Sequence, residues 1–142
     1  VGGRFQVEGN TVSFIIDEYD RTRPLIIDPP LVWSTYYGGS EYDGPRTIVC
    51  DNINDFVYVV GYTASTNLPV QDDSASISYY QDTLSAAPGQ DAFIWKFTQS
   101  GVRIWATYYG GLGDESHADA ALDQFQNLYV CGHTTASNWP KR

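Results

Sequence analysis

The feature that most constrains the fold is a heptapeptide that occurs twice. WSTYYGG spans residues 33–39 and WATYYGG spans residues 105–111, 72 positions later (33 to 105). Further along, VYVVGYTASTNLP (57–69) aligns with LYVCGHTTASNWP (128–140) at an offset of 71 (57 to 128). Such self-similarity indicates a repeat architecture, in which each copy forms one structural unit that packs against the next.

The residues between these signatures predict β-strands. Runs rich in β-branched and aromatic residues alternate with Gly, Asn, Asp and Pro, as strands alternate with turns. Two runs, FVYVVG and AFIWKF, are apolar on both faces, which predicts a sheet covered on both sides. One repeat unit groups four strands, and four-stranded units at a fixed period indicate the blades of a β-propeller. The predicted strands are residues 46–51, 56–63, 91–98 and 102–109.

The flanking residues predict further strands and one short helix. RFQVEG and TVSFIIDEY alternate apolar and polar residues around Gly9-Asn10, which predicts a hairpin. LVWSTYY (31–37) is predicted to be the outer strand of a preceding blade, and SYYQDTLSA (78–86) is the best helical candidate.

The predicted fold is therefore all-β, with one complete four-stranded antiparallel blade and partial flanking blades, and we expect the chain to be a fragment of a larger propeller. Its predicted parts are an N-terminal β-hairpin region (1–30) and a repeat region (31–142), with copy one at about 31–103 and an incomplete copy two at about 104–140.

Charge and composition argue against several classes of partner. Eight Lys and Arg residues against 17 Asp and Glu give a net charge of −9, which disfavours nucleic acid and anionic membranes and suits a cation or a basic partner. No apolar run approaches the ~20 residues of a membrane span. Cys50 and Cys131 occupy different repeat positions, so we expect two buried free thiols and regard a disulfide as the lesser alternative.

The combination of motifs resembles a known family. STYYGG, the Asp of the following turn, VYVVGYTASTNLP, GQDAFIWKF and a Ser-Gly hairpin are similar to the SBBP repeat, a β-propeller repeat of secreted and surface proteins, chiefly bacterial. VSFIIDEYDRTRPLIIDPPLVWSTYYGG resembles the β-rich region that precedes such repeats. The resemblance covers about residues 12–140 and implies an extracellular or cell-surface location. The chain departs from the pattern at NINDF and QFQN, where Gly-Asn is usual, and at NLP and NWP, which replace FP.

The repeated glycines and tryptophans are predicted to be structural. A glycine pair ends each heptapeptide, where positive φ and close approach of the backbone favour glycine. Each tryptophan lies mid-strand between apolar neighbours, which predicts packing between blades. These residues are Trp33, Trp105, Gly38, Gly39, Gly110 and Gly111.

The tyrosines of the same heptapeptides are candidates for ligand contact. They lie at the predicted strand ends, where a ring can stack on a sugar or a peptide; the alternative is that the rings pack in the core. The four candidates are Tyr36, Tyr37, Tyr108 and Tyr109.

The acidic loops are weak candidates for a metal site. Calcium needs six or more converging oxygens, and DNIND (51–55) lacks the Gly and the closing Glu of a calcium loop. A second cluster contains Asp114, Glu115, His117 and Asp119, but its counterpart YDGPRT has no His and fewer acids. We therefore predict no metal site and no cofactor, with Asp114, Glu115 and Asp119 as the weak candidates. No Gly-x-Ser-x-Gly motif occurs and nothing selects a carboxylate pair, so no catalytic residue is assigned.

These observations predict a non-enzymatic extracellular scaffold, adhesion or ligand-display module. One alternative is a subunit that assembles into a ring or filament because strands 31–37 and 128–134 have unpaired edges. The other is a part of a polysaccharide-acting propeller enzyme. The expected partners are copies of the chain or neighbouring blades of a parent chain, and a glycan or protein ligand.

Overall fold

The structure is a computed structural model that describes residues 2–9, 11–25, 31–73, 79–85 and 87–140, without the side chains of Phe14, His117 and Ala118. The chain divides into two compact units, Val1–Leu31 and Val32–Arg142. The regular elements of the described residues are all β-strands, so the fold is all-β, as predicted. Within those residues there is no helix with the length and apolar character needed to cross a membrane.

The first unit contains a β-hairpin. β1 (Gly3–Glu8) pairs antiparallel with β2 (Thr11–Ile16). Gly9 in the turn has a φ of 59°, a conformation that glycine adopts at little cost. The hairpin predicted from RFQVEG and TVSFIIDEY is therefore present, although Asn10 lies outside the described residues.

The second unit contains a four-stranded antiparallel sheet whose strands lie in chain order. These are β3 (Asp43–Asp51), β4 (Phe56–Thr63), β5 (Asp91–Thr98) and β6 (Arg103–Tyr109). They confirm the four strands predicted for one blade, with β3 starting a little earlier than expected. A two-stranded antiparallel sheet of β7 (Glu115–Leu122) and β8 (Leu128–Thr134) follows. In the repeat β7 and β8 correspond to β3 and β4, so the sheets form one complete propeller-like blade and half of another, and they do not close into a ring.

Two aspartates at equivalent repeat positions organise the β3–β4 and β7–β8 turns. Asp51 Oδ1 accepts two backbone N–H bonds of 3.0 and 2.9 Å from the residues that follow it. Asp123 Oδ1 accepts two of 2.8 and 2.9 Å in its own turn. A carboxylate that bonds the turn backbone stabilises the reversal of the chain. The departures NINDF and QFQN from the usual Gly-Asn therefore leave both hairpins intact, with Asp55 and Gln126 at φ of 60° and 64°.

The complete blade is covered on both faces, as its doubly apolar strands predict. Alternate residues of β5 point to opposite faces, and each face has its own core. One core contains Val57, Leu68, Phe93, Trp95, Phe97, Ala106 and Tyr108, with Trp33 and Tyr37 packed against it. The other contains Val60 and Ile94, packed against Trp105 and, from the next sheet, Ala120 and Leu128.

The prediction that residues 31–37 form a strand is wrong. They have no strand pairing, and Trp33 and Tyr37 pack against the first core. A strand needs a hydrogen-bonded neighbour. The equivalent strand β6 has that neighbour in β5, whereas none of the described residues takes the same place beside 31–37.

The predicted helix is also wrong over residues 79–85, which contain no helix; residues 78 and 86 lie outside the described residues. Two parts of the β4–β5 connection, at Gln71 and at Gln81, lie against the outer edge of β6. Gln71 and Ala106 exchange two backbone hydrogen bonds of 2.9 Å, and the N–H of Gln81 bonds Oγ1 of Thr107 at 2.8 Å. The connection thus covers an edge that is otherwise open to pairing with another chain.

The prediction of buried thiols is wrong as well. Cys50 on β3 and Cys131 on β8 are both free and exposed. β3 and β8 are edge strands of their sheets, and neither cysteine belongs to a core cluster.

Candidate functional site

The residues that recur in the repeat meet where the segment 37–43 contacts the end of β4 and the residues up to Pro69, a contact called here the first junction. Its centre is Asp43. The carboxylate accepts the N–H of Gly39 at 2.7 Å and the hydroxyl of Thr63 at 2.5 Å. Ser65 adds a third donor, with Oγ at 3.3 Å from Asp43 Oδ2. One carboxylate therefore holds together a turn and the end of a neighbouring strand.

Three further hydrogen bonds contribute to the first junction. Asn67 Oδ1 accepts the N–H of Ser40 at 2.9 Å. The hydroxyl of Tyr37 donates to the carbonyl oxygen of Pro69 and accepts from Nη1 of Arg103 at 2.5 Å. The Asn and Pro of the signature thus fix the path of the chain after β4.

The second copy builds the same contact, called here the second junction (residues 109–115 and 134–140). Glu115 takes the place of Asp43, 72 positions later (43 to 115). It accepts the N–H of Gly111 at 3.1 Å and the hydroxyl of Thr134 at 2.6 Å. Asp43 and Glu115 were not assigned this role from sequence because an Asp in one copy faces a Glu in the other, which conceals the match.

The remaining bonds of the second junction also repeat those of the first. Asn138 Oδ1 accepts the N–H of Leu112 at 2.6 Å, as Asn67 does for Ser40. The Tyr109 hydroxyl lies 3.4 Å from the carbonyl oxygen of Pro140. The repeated Tyr, Gly, Thr, Asn and Pro are therefore the residues that attach the end of each heptapeptide to the sheet that follows it.

The glycine pairs are needed for close approach and not for positive φ. A Cβ at Gly39 would lie 2.6 Å from Asn67 Oδ1, and one at Gly111 would lie 2.7 Å from the Cβ of Ala136. Gly38 and Gly110 are crowded by the carboxylates of their junctions. Within the described residues, positive φ occurs at two other glycines, in turns. The prediction that these glycine pairs adopt a positive φ is therefore wrong.

A cleft of about 950 Å³ lies beside both junctions, where the two sheets present the same strand ends. Tyr42, Arg46 and Tyr62 line it from the start of β3 and the end of β4. Asp114, just before β7, and His133 on β8 line it from the other sheet. Further lining comes from Glu41, Thr66, Ala87, Pro88, Gly89, Gln90 and Ser116. Sequence reasoning did not find this site, because its lining residues come from both copies of the repeat and only the stacking of the two sheets brings them together.

The cleft has an ordered aromatic pair. The rings of Tyr42 and Tyr62 lie 5.7 Å apart and are tilted by 31°. The guanidinium of Arg46 sits 5.1 Å from the centre of the Tyr62 ring and donates to its hydroxyl at 3.5 Å. A hydrogen bond with the Tyr62 hydroxyl raises the pKa of Tyr42. The Tyr42 side chain nevertheless remains 60% exposed.

Comparison with known families locates the repeat in the chain. Residues 32–69 match the family model of SBBP, described as a beta-propeller repeat. The chain carries an SBBP repeat. The matched span begins just before Trp33 and ends at Pro69, so it contains the whole first junction with β3 and β4. No curated protein and no solved structure matches the chain.

The two tryptophans of the repeated heptapeptide pack against different cores of the complete blade. Trp33 packs against the first core, with its ring 5.8 Å from that of Phe97, and its Nε1 donates to the carbonyl of Gln99 at 2.9 Å. Trp105 packs against the second core. Its Nε1 is buried and has no hydrogen-bond acceptor among the described residues.

The four tyrosines proposed for ligand stacking have three different environments. Tyr108 is completely buried, and its hydroxyl donates to the carbonyl of Ser65 at 2.7 Å, so the prediction that its ring contacts a ligand is wrong. Tyr37 and Tyr109 are half-buried within the two junctions. Tyr36 is fully exposed, although it occupies the same repeat position as Tyr108. The pair in the cleft, Tyr42 and Tyr62, was missed.

The acids proposed as weak metal ligands are used in hydrogen bonds to the protein. Glu115 serves the second junction, Asp119 accepts the hydroxyl of Thr47 at 2.5 Å, and Asp114 accepts the N–H of Gln90 at 3.1 Å. Across the described residues, no group of three or more His, Cys, Asp or Glu side chains is placed to hold a metal ion. The side chain of His117, the fourth member of that cluster, lies outside the described residues.

Glu115 has a buried acidic neighbour in Asp91. The two carboxyl groups are 1% and 0% exposed, and a Cβ at Gly110 would overlap both. Burial raises the pKa of Glu115, and the charge of Asp91 raises it further. Burial also raises the pKa of Asp91, against the effect of its hydrogen bonds. When both groups are ionised, Asp91 Oδ1 has no donor among the described residues; a proton on Glu115 supplies one.

Proposed function

We propose that the chain is a non-enzymatic segment of a secreted or surface-attached β-propeller, with stacked sheets as a scaffold and strand-end loops that display a ligand. The observation that carries this proposal is the repeated junction. The same backbone and side-chain donors meet an acidic side chain at positions 43 and 115. Side chains that recur in both copies therefore attach the end of each heptapeptide to the sheet that follows it, while other residues near the strand ends differ between the copies.

The proposal is tested by following the fate of a ligand. The purified chain is incubated with a mixture of soluble polysaccharides and peptides, and both the retained and the free fractions are analysed by mass. We expect a subset to be retained and recovered intact. Recovery of shortened or eliminated products would instead support the polysaccharide-acting enzyme.

The extracellular or cell-surface location rests on the resemblance of the motifs to secreted repeat proteins. It predicts that antibodies against the chain detect the protein in culture medium or on intact cells of the producing organism. Detection in the lysate alone would contradict the location without affecting the scaffold.

Self-assembly is a second candidate, and the exposed edge of β8 favours it. Most of β8 is exposed, and beside it the described residues provide no strand equivalent to β5 or β6. Two strand positions are therefore open, so segment 31–37 of another copy would fill one of them at most. Sedimentation at high micromolar concentration tests this candidate: a single monomeric species would exclude it, and growth in size with concentration would support it.

A further inference from the structure

We infer that the cleft between the two copies binds a neutral glycan, with Tyr42 as the stacking platform; this inference rests on the proposed ligand-display function. The cleft volume of about 950 Å³ lies at the upper end of the range of ligand sites, roughly 300–1,000 Å³. Its residues come from loops and strand ends beside the junctions.

The first support is the comparison of the two copies. Tyr42 and Tyr62 correspond to Asp114 and His133 at the repeat offsets of 72 and 71 (42 to 114, 62 to 133). All four side chains line the same cleft, facing it from consecutive sheets. At the junctions the copies keep the same Tyr, Gly, Thr, Asn and Pro, whereas these cleft positions differ in residue type. Most residues that make the junction bonds are therefore the same in both copies. The cleft positions are not constrained by those bonds and can serve another role.

The second support is the aromatic pair. Tyr62 is held from one side by Arg46, whose guanidinium lies 5.1 Å from the ring centre. Tyr62 in turn positions Tyr42, which is 60% exposed. An aromatic ring that is fixed before binding loses little conformational entropy when a ligand stacks on it. The ring of Tyr42 therefore offers a preorganised apolar face.

The third support is the mixture of hydrogen-bonding groups around that face. The Glu41 carboxylate and the His133 imidazole have no hydrogen bond or ion pair with any described residue. Asp114 Oδ1 has one bonded donor, the N–H of Gln90. Carboxylates accept only, guanidinium donates only, and imidazole does either. Sugar hydroxyls both donate and accept, and the C–H face of a sugar ring is apolar, so a glycan matches this set.

Charge separates the glycan from other ligands. Two carboxylates in the cleft and a net charge of −9 disfavour nucleic acid and anionic glycans. A basic peptide would pair with Glu41 and Asp114 but would also meet the cation of Arg46. A neutral glycan has neither conflict. Its binding should depend little on salt, whereas that of a basic peptide should weaken as salt screens the ion pairs.

The test is affinity gel electrophoresis of the intact chain through a neutral β-glucan, a xyloglucan and a galactomannan. We expect at least one to retard the chain, and Tyr42→Ala to weaken retention about tenfold. Tyr42→Phe keeps the ring and should bind within about twofold of the wild type. Tyr129→Ala is the matched control, because Tyr129 is 61% exposed and does not line the cleft. It should bind like the wild type.

The variants should fold, since the junction uses the carbonyl oxygen of Tyr42 and not its ring: that oxygen accepts the N–H of Ala64 at 2.9 Å. An unchanged urea midpoint verifies this. The inference is overturned if none of the three polysaccharides retards the chain, or if Tyr42→Ala is retarded like the wild type. It is also overturned if hexalysine binds in a salt-sensitive way that Glu41→Gln abolishes. Retention that is independent of Tyr42 would leave ligand display standing, and shortened glycan products would contradict only the non-enzymatic role.

Discussion

The first and second junctions make the same contacts with different chemistry. At the first, Ser65 donates to Asp43 and also accepts the N–H of Glu41 at 2.9 Å. At the second, the position of Ser65 is occupied by Ala136, which has no hydroxyl (65 to 136, offset 71). Glu115 there lies beside buried Asp91 instead.

The difference teaches that the repeat specifies a pattern of bonds and not a fixed set of side chains. A carboxylate with three protein donors is satisfied in its ionised form. Two adjacent buried carboxyl groups repel each other when both are ionised, and a proton on one of them would remove that repulsion at the second junction. We therefore expect the stability of the second junction to depend on pH through Asp91 and Glu115.

The largest effect should come from removing the tryptophan that joins the two sheets. Trp105→Ala should lower the free energy of unfolding by about 3–4 kcal/mol, since it removes an indole packed between sheets. Trp33→Ala should cost less, because its segment is not paired in a sheet. Urea denaturation of both variants measures the difference. A midpoint unchanged by Trp105→Ala would contradict the role of this residue in packing.

The glycines before the two acids provide a sharper comparison. Gly110→Ala should cost about 3 kcal/mol, because its Cβ would overlap both Asp91 and Glu115. Gly38→Ala meets the Asp43 carboxylate alone and should cost about 1 kcal/mol. Denaturation under identical conditions tests the order of the two values. Equal costs would mean that the second acid adds no crowding.

A smaller effect is expected in how the stability contributed by the second junction depends on pH. Because the pKa values of Asp91 and Glu115 are raised in the folded state, their stabilisation is complete below the pKa values of the unfolded chain, about 4. It is lost as pH rises through the folded pKa values. Asp91→Asn should therefore be at least as stable as the wild type at pH 7. Its stability relative to the wild type should be lower at pH 4 than at pH 7. A constant difference between pH 4 and pH 8, measured by urea midpoints, would exclude the shared proton.

The smallest effect should follow from exchanging the residue that differs between the junctions. Ser65→Ala removes the donor to Asp43 and the acceptor for Glu41, and should cost about 1 kcal/mol. Ala136→Ser places the hydroxyl at the second junction and should change stability by less than about 0.5 kcal/mol. Thermal unfolding of the pair measures both. A Ser65→Ala variant as stable as the wild type would show that the hydroxyl is dispensable.

The sheets were predictable from the sequence because their signal is local. Strand periodicity, turn residues and the repeated heptapeptide identify β3 to β6 without any distant contact. The junction acids were not identified because only the hydrogen bonds show that Asp43 and Glu115 accept equivalent donors in the two copies. The cleft was missed for a different reason: Tyr42 and His133 belong to different copies, and only the stacking of two sheets brings them to one site.

The order of strands along the chain has a consequence for how such a protein folds. Neighbouring strands within every sheet are also neighbours in sequence, and four of the connections are turns of two to five residues. Contacts of this kind close quickly, because little loop entropy is lost. The exception is the stretch 64–90 between β4 and β5, which is the slowest loop to close within the blade. We expect hairpins to form on the ribosome as the chain emerges, with closure of this one stretch setting the pace at which a blade is completed.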